Sequence, residues 1–241
     1  ATLQIVGEQL AERLDLRAGQ RVLDVAAGNG NFSLAAARRD TRVTSSDFVP
    51  ALLEKGRIRA LADGFDIEFR EADAENLPFA DASYDVVASV YGVMFTPDHQ
   101  RAANELARVV KPGGKIGLAN WTPQGFIGRL FKTIGRHVPN PLPSQARWGT
   151  REHLAALFGE QAADIGVQTR HFHFHYTSIE SWLENFKSVY GPVKNAFVAL
   201  DDAGQAALQE DILALLRELN AVDDGTMKVP GEYLEVVVTR A

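Results

Sequence analysis

Val22-Leu23-Asp24-Val25-Ala26-Ala27-Gly28-Asn29-Gly30-Asn31 is an apolar run that breaks on a tight glycine turn, with an Ala-rich stretch close behind it. The run predicts a strand and the stretch predicts a helix. Glycine between them lets backbone approach a ligand closely, and the helix start offers free N–H groups with a partial positive charge. Phosphate, dinucleotide and nucleoside sites all use such a turn. Two details separate them. A P-loop needs a Lys-Ser/Thr pair after its last glycine, and Asn31-Phe32 follows Gly30. A dinucleotide fingerprint counted from Gly28 needs glycine or alanine at position 33, which is Ser33, and it leaves the acid Asp24 unexplained.

Working outward, the first half keeps alternating short apolar runs with amphipathic stretches, the pattern of βαβ units around a parallel sheet. Helix Gln4–Arg13 leads into strand Arg21–Val25, then helix Phe32–Arg39, strand Arg42–Ser46, helix Ala51–Ala62 and strand Ile67–Arg70. Strands Asp85–Val90 and Lys115–Asn120 flank a helix over Gln100–Val109, which Lys111-Pro112-Gly113-Gly114 stops. After Trp121 the character changes. Gly125–His137 reads as a helix, Pro139-Asn140-Pro141-Leu142-Pro143 as a stiff connector, and Val167–Tyr176 and Tyr233–Thr239 as strands. Between those strands lies a helical stretch over Ser181–Asn220. Its last helix carries Leu208, Ile212, Leu215, Leu216 and Leu219 at helical spacing behind the cap candidates Asp201 and Asp202.

The strand-turn-helix motif resembles that of the class I S-adenosylmethionine-dependent methyltransferases, an acid followed by small residues and G-x-G. The resemblance runs along roughly the first half of the chain, and the ubiquinone and menaquinone C-methyltransferase-like domain is the subfamily most similar in feel. It implies a cofactor site. Asp24, Ala26, Gly28, Asn29 and Gly30 would form the turn beside the methionine part, with Ala26 standing where the family has its first glycine. Asp47, ending the second strand, would accept from the two ribose hydroxyls, since a carboxylate can take both at once. Phe48 would lie on the adenine ring. In Glu71-Ala72-Asp73-Ala74-Glu75, Asp73 would take the adenine amino group and the Ala74 amide would face a ring nitrogen. Ser89, Val90 and Tyr91 would form the cofactor-facing end of the fourth strand, and Leu106 to Gly114 would lead into the fifth.

The implied fold is a doubly wound, seven-stranded, mostly parallel α/β sheet, Rossmann-like, with a helical insertion between the last two strands. The last strand would be antiparallel in the manner of the family. A single domain is expected over 1–241, with residues 1–122 as the cofactor half, 123–232 as a substrate-side elaboration with a helical lid, and 233–241 as the last strand. The implied reaction is methyl transfer from S-adenosylmethionine, leaving S-adenosylhomocysteine. A nicotinamide-dependent oxidoreductase is the alternative enzyme, and a non-catalytic cofactor-binding protein of the same fold is the other alternative. Each acid and glycine taken alone would also suit an ordinary strand end, cap or turn.

Composition narrows the partners. The net charge is −6 and the basic residues are scattered, which gives a phosphate backbone little to hold. No window approaches the roughly 18 apolar residues of a membrane span. No signal-peptide pattern is visible, and what precedes Ala1 is open. With no cysteine, the chain has neither disulfides nor thiolate sites, which fits a reducing cytoplasm. His171, His173 and His175 alternate with Phe172, Phe174 and Tyr176, so a strand puts the imidazoles on one face and the rings on the other. Same-face neighbours stand about 7 Å apart, too far for three ligands at about 2 Å from one ion, and no metal is expected. His99 reads as a surface or capping residue and His153 as part of a helix start.

The acceptor side is less legible. The Asn/Asp-Pro-Pro-Tyr/Phe motif of amino-group methylation is absent after the fourth strand, where Ser89-Val90-Tyr91-Gly92 stands. That argues against DNA adenine and glutamine acceptors. Aromatic residues concentrate after the fifth strand, and with Tyr91 they suggest an enclosed pocket for a small, partly apolar acceptor. Its expected walls are Tyr91, Trp121, Phe126, Trp148, Phe186 and Tyr190. The alternative is that these rings only cement the added helices to the sheet. The catalytic residue is not legible. Tyr91 and His137 are the candidates, His137 also suiting a helix C-terminus as a positive charge. The oligomeric state is open.

Overall fold

The computed structural model describes residues 3–138 and 145–241. The predicted Pro139–Pro143 connector lies outside the described residues. Seven strands form one sheet: β1 Arg21–Val25, β2 Arg42–Asp47, β3 Glu68–Glu71, β4 Tyr84–Val90, β5 Val110–Trp121, β6 Ala162–Tyr176 and β7 Met227–Arg240. Their order is β3-β2-β1-β4-β5-β7-β6. The first five pair in parallel, with Val22 opposite Val43 and Val86, and Val90 opposite Ala119. β2 and β3 lie on one side of β1 and β4 on the other, so the strand order reverses between β1 and β4. Open α/β sheets bind ligands outside the carboxyl ends of the strands at that reversal.

The local reasons are in the residues. β1 and β2 are buried along nearly their whole length, as strands covered on both faces must be. One apolar core joins Leu10 of helix α1 (Gln4–Arg13), Leu14 just after it, and Phe32, Leu34, Ala35 and Ala36 of helix α2 (Asn31–Ala37) to Val22, Val43, Val86 and Ala88 of the sheet. α1 approaches α2 at Gly7, where a Cβ would come within 2.8 Å of the Asn31 carbonyl oxygen. Helix α3 (Pro50–Asp63) starts on Pro50 and ends on Gly64, whose φ of 74° only glycine adopts cheaply. Helix α4 (His99–Val109) is capped by Asp98, which accepts from the Arg101 amide.

Pro112 and Gly113 stop α4 as expected, yet β5 begins before them. Val110 pairs with Tyr84, and the ladder then skips to Val86 opposite Lys115. β6 is likewise longer than its apolar pattern predicts. β7 runs antiparallel to β6: the Ala241 amide donates to the Gln161 carbonyl, while Gly166 lies beside Val237.

By chain contacts two compact units emerge, residues 1–120, 148–169 and 234–241, and residues 121–147 and 170–233. The first unit also holds helix α6 (Arg151–Phe158), capped by Thr150, with His153 in its first turn. The second unit holds helix α5 (Phe126–His137) and, over the expected helical stretch, three helices: α7 (Ile179–Val189), α8 (Gly191–Ala199) and α9 (Asp202–Leu219). Two devices make the breaks. Pro192 lies in the first turn of α8 and cannot continue α7, and Asp201 caps α9 by accepting from the Gly204 amide. Ser178 and Ser181 close a reciprocal capping box on α7.

Candidate active site

β1 ends at Val25 and the chain turns through three residues of positive φ, Ala26 at 51°, Gly28 at 57° and Gly30 at 79°. A Cβ on Gly28 would meet nothing within 4 Å, so the positive φ, not crowding, favours glycine there. Ala26 is strained, because an L-residue with a side chain pays of order 1 kcal/mol in the left-handed region. Tyr91, the residue after β4, shares that strain with φ 58°. The two turns touch. A Cβ on Gly92 would lie 2.3 Å from the Ala26 carbonyl oxygen and 2.9 Å from the Ser89 hydroxyl. Strained backbone of this kind clusters at active sites and ligand clamps, and here it lies where the strand order reverses.

Main-chain amides hold the acids. Asp47, almost fully buried, accepts from the Gly28 amide at 2.8 Å and, through its other oxygen, from the Val49 amide at 2.9 Å. Each of its oxygens keeps a lone pair for a second donor. Asp24 accepts through one oxygen from the Ser33 amide at 2.9 Å and the Ser33 hydroxyl at 2.6 Å. That hydroxyl lies 2.9 Å from the Ser45 hydroxyl. The other carboxylate oxygen, Oδ1, is buried without a hydrogen-bond partner among the described residues. Burial pushes the Asp24 carboxyl up to about 7; the Ser33 bonds oppose this and Asp47 adds to it. An orphaned carboxylate oxygen in such a place calls for a proton or a cationic donor.

Arg59 of α3 reaches the turn, donating to the Asn29 carbonyl at 2.6 Å and the Asn31 side chain at 3.0 Å. Phe48 leaves its ring 69% exposed, an uncommon state for phenylalanine and one suited to stacking. Asp73 is exposed and accepts from the Glu75 amide, Ala74 is buried, and the Ala72 amide donates to the Asp47 carbonyl, tying this loop to β2. Ser89 accepts from the Val93 amide, half-buried Val90 ends β4, and the Tyr91 amide donates to the Ala119 carbonyl. The structure thus bonds Gly28 to Asp47, Asp24 to Ser33 and Tyr91 to Ala119, and brings Ala26 and Ser89 against Gly92.

Two contributors carry no functional signal in the sequence. Ser33 enters the sequence argument only as a departure from a fingerprint, yet it anchors Asp24. Asn120, at the carboxyl end of β5, is fully buried with neither its amide nitrogen nor its oxygen partnered among the described residues.

The expected acceptor residues divide between the units. Trp148 belongs to the first, buried against His99, His153 and Phe158, with the two imidazoles 2.9 Å apart. Trp121, Phe126, Phe186 and Tyr190 belong to the second. There Phe174 packs against Trp121, Phe126 and Phe186, and Trp182 stacks on Phe186 at 3.9 Å. His137 also lies there, its Nε2 2.8 Å from an Asp211 oxygen. The alternation of β6 is as expected: His171, His173 and His175 are exposed, and Phe174 is buried between them. Burial and the flanking Lys228 and histidines lower the His173 pKa.

Comparison with known proteins gives concordant results. Residues 23–118 match the model of a methyltransferase domain. An uncharacterized protein of Mycobacterium tuberculosis is 40% identical over 235 residues, 95% of this chain and 84% of that one. A demethylmenaquinone methyltransferase of Deinococcus radiodurans is 37% identical over 123 residues, 49% of this chain and 51% of that one. In fold, the chain is similar to the crystal structure of a putative methyltransferase from Bacillus halodurans. The TM-score is 0.70 at 20% identity, covering 97% of each chain. With the strand order, the glycine turn and the held acids, these matches place the chain in the class I methyltransferases that use S-adenosylmethionine.

Proposed function

We propose that the methyl acceptor is a small, partly apolar organic molecule. One observation carries this reading. The second unit has an interior of ring on ring, in which the Trp182 indole nitrogen and the Tyr190 hydroxyl are buried without hydrogen-bond partners among the described residues. An apolar wall with a few unspent polar groups is the composition of a small-molecule site. The Deinococcus match covers about half of this chain, so that relative's acceptor is not carried over.

When bound, the cofactor supplies an electrophilic methyl group on a sulfonium, with a neutral thioether as leaving group. The residues present fit it. In this reading the orphaned Asp24 oxygen takes the ammonium of the methionine part, and the turn Ala26 to Gly30 lies alongside that part. Asp47 keeps two lone pairs for the ribose hydroxyls, and Phe48 offers an exposed ring to the adenine. Asp73 and the Ala74 amide face the adenine edge, with Ser89, Val90 and Tyr91 closing the site. The protein's work is alignment and exclusion of water. A base is required only for an acceptor with a proton to lose. Tyr91 and His137 are the candidates, and Asp211 orients the His137 ring.

Purified protein given methyl-labelled S-adenosylmethionine and a bacterial extract tests this. Label in the fraction that passes a molecular filter is the expected result. Label confined to protein or nucleic acid overturns it.

A further inference from the structure

Asn120 is the residue that nothing so far employs. Its side chain is fully buried, and neither half of its carboxamide has a hydrogen-bond partner among the described residues. Leaving a buried polar group unpaired costs about 1–3 kcal/mol, and here two groups on one side chain bear that cost. Native proteins keep such groups only where something else uses them.

Position suggests what. Asn120 stands at the carboxyl end of β5, one residue beyond Ala119, whose carbonyl holds the Tyr91 amide. Ser89 pairs with Leu118, so the period of two puts Asn120 on the same face of the sheet as Leu118 and Ser89. β4 separates β5 from β1, and two strand spacings amount to about 10 Å. The ligand atom that answers Asp24 is therefore not the one that answers Asn120. Asp24 pairs with Ala88 and Ala88 with Gly117, so the same period puts Asp24 on the opposite face from Asn120, and the two orphaned sites answer different groups.

We infer that Asn120 binds the methyl acceptor, through an edge that presents a hydrogen-bond acceptor beside a donor, as a carboxamide, lactam or hydroxy-carbonyl group does. A side-chain amide is complementary to such an edge because it offers N–H and C=O side by side. Sites built to hydrogen-bond a ligand reject analogues that lack the group far more strongly than apolar pockets reject a change of size. Asn120 thus sets specificity. The inference rests on the small-acceptor reading above.

The test uses the full chain saturated with S-adenosylhomocysteine, with benzamide as the probe carrying the edge and toluene as the probe carrying only the ring. Asn120→Leu keeps the number and branching of the side-chain heavy atoms and removes both polar groups. Both probes are expected to bind the wild-type protein, with benzamide moving the Asn120 side-chain amide resonances. In Asn120→Leu, benzamide affinity should fall at least tenfold, toluene affinity should change less than twofold, and the thermal midpoint should rise. Benzamide bound equally well by the variant overturns the role of Asn120 while leaving a small-molecule site in place. Toluene binding without benzamide binding in the wild type overturns the proposed edge. Failure of both probes in the wild type defeats the inference together with the small-acceptor reading. A lowered midpoint in the variant shows the amide to be structurally satisfied, by water or otherwise, and also overturns it.

Discussion

The paired side chains by the β1 turn, Asp47, Ser33 and Ser89, and the ring tips of the second unit treat burial of a polar group in opposite ways. Around the β1 turn most polar side-chain atoms bond to the protein itself, with the Asp24 Oδ1 oxygen as the exception. Asp47 holds two amides, Ser33 holds Asp24, and Ser89 holds Val93. In the second unit the polar tips of Trp182 and Tyr190 end among rings, with no hydrogen-bond partner among the described residues. A site that must hold the same cofactor at every turnover gains from such built-in rigidity. A surface that must select one acceptor gains from groups left for that acceptor to satisfy. The contrast predicts that substitutions in the two regions move stability in opposite directions.

The largest effect is expected at Asp47. Asp47→Ala strands the Gly28 and Val49 amides and, in the proposed role, removes two bonds to ribose hydroxyls. Hydrogen bonds to a charged acceptor contribute about 1.5–3 kcal/mol each. Affinity for S-adenosylhomocysteine should fall at least tenfold and the thermal midpoint should drop. Calorimetry on the folded variant that finds unchanged affinity removes Asp47 from the site.

A second, smaller effect follows from Asp24. Its folded pKa of about 7 lies above the ordinary value of 3.8. Between those values the folded state holds a proton that the unfolded state has released. Stability from this group is therefore full below about pH 4 and declines as pH rises toward 7. Binding of an ammonium favours the carboxylate, so affinity for S-adenosylhomocysteine should rise with pH, by up to about tenfold per unit, and level off near 7. It should fall again at more alkaline pH as the ligand's amino group loses its proton. Proton release at pH 6, read from binding heats in buffers of different ionisation enthalpy, is the direct check. Affinity that stays flat between pH 6 and 8, or an Asp24→Asn variant with the same profile, breaks the assignment.

The same contrast explains what the sequence makes legible. The β1 strand, its glycine turn and α2 are local in cause: apolar period, residue type and helix start sit within about a dozen positions, and the structure keeps them. The early start of β5 at Val110 is not local, because it depends on pairing with Tyr84, whereas Lys111-Pro112-Gly113-Gly114 signals only a turn. The break between α7 and α8 is local in cause, because Pro192 lies in the first turn of α8 and cannot continue α7. Ser33 and Asn120 were illegible for a different reason. Whether a polar group is satisfied depends on neighbours far away in sequence, and no residue type announces it.

The smallest predicted effect is the most discriminating. Tyr190→Phe deletes one hydroxyl and keeps the ring that packs 5.0 Å from Phe186. In a core where the hydroxyl was bonded, the change would cost about 1 kcal/mol. Here the hydroxyl is buried with no partner among the described residues, and burial pushes its pKa far up, which keeps it neutral. Removing it relieves a desolvation cost, so the midpoint of the acceptor-free protein should stay level or rise by a few degrees. If the hydroxyl serves the acceptor, KM for the labelled small molecule should rise several-fold while affinity for S-adenosylhomocysteine stays constant. A variant that melts lower, with kinetics unchanged, assigns Tyr190 to cementing the helices, and the opposition between the two regions then fails at its weaker end.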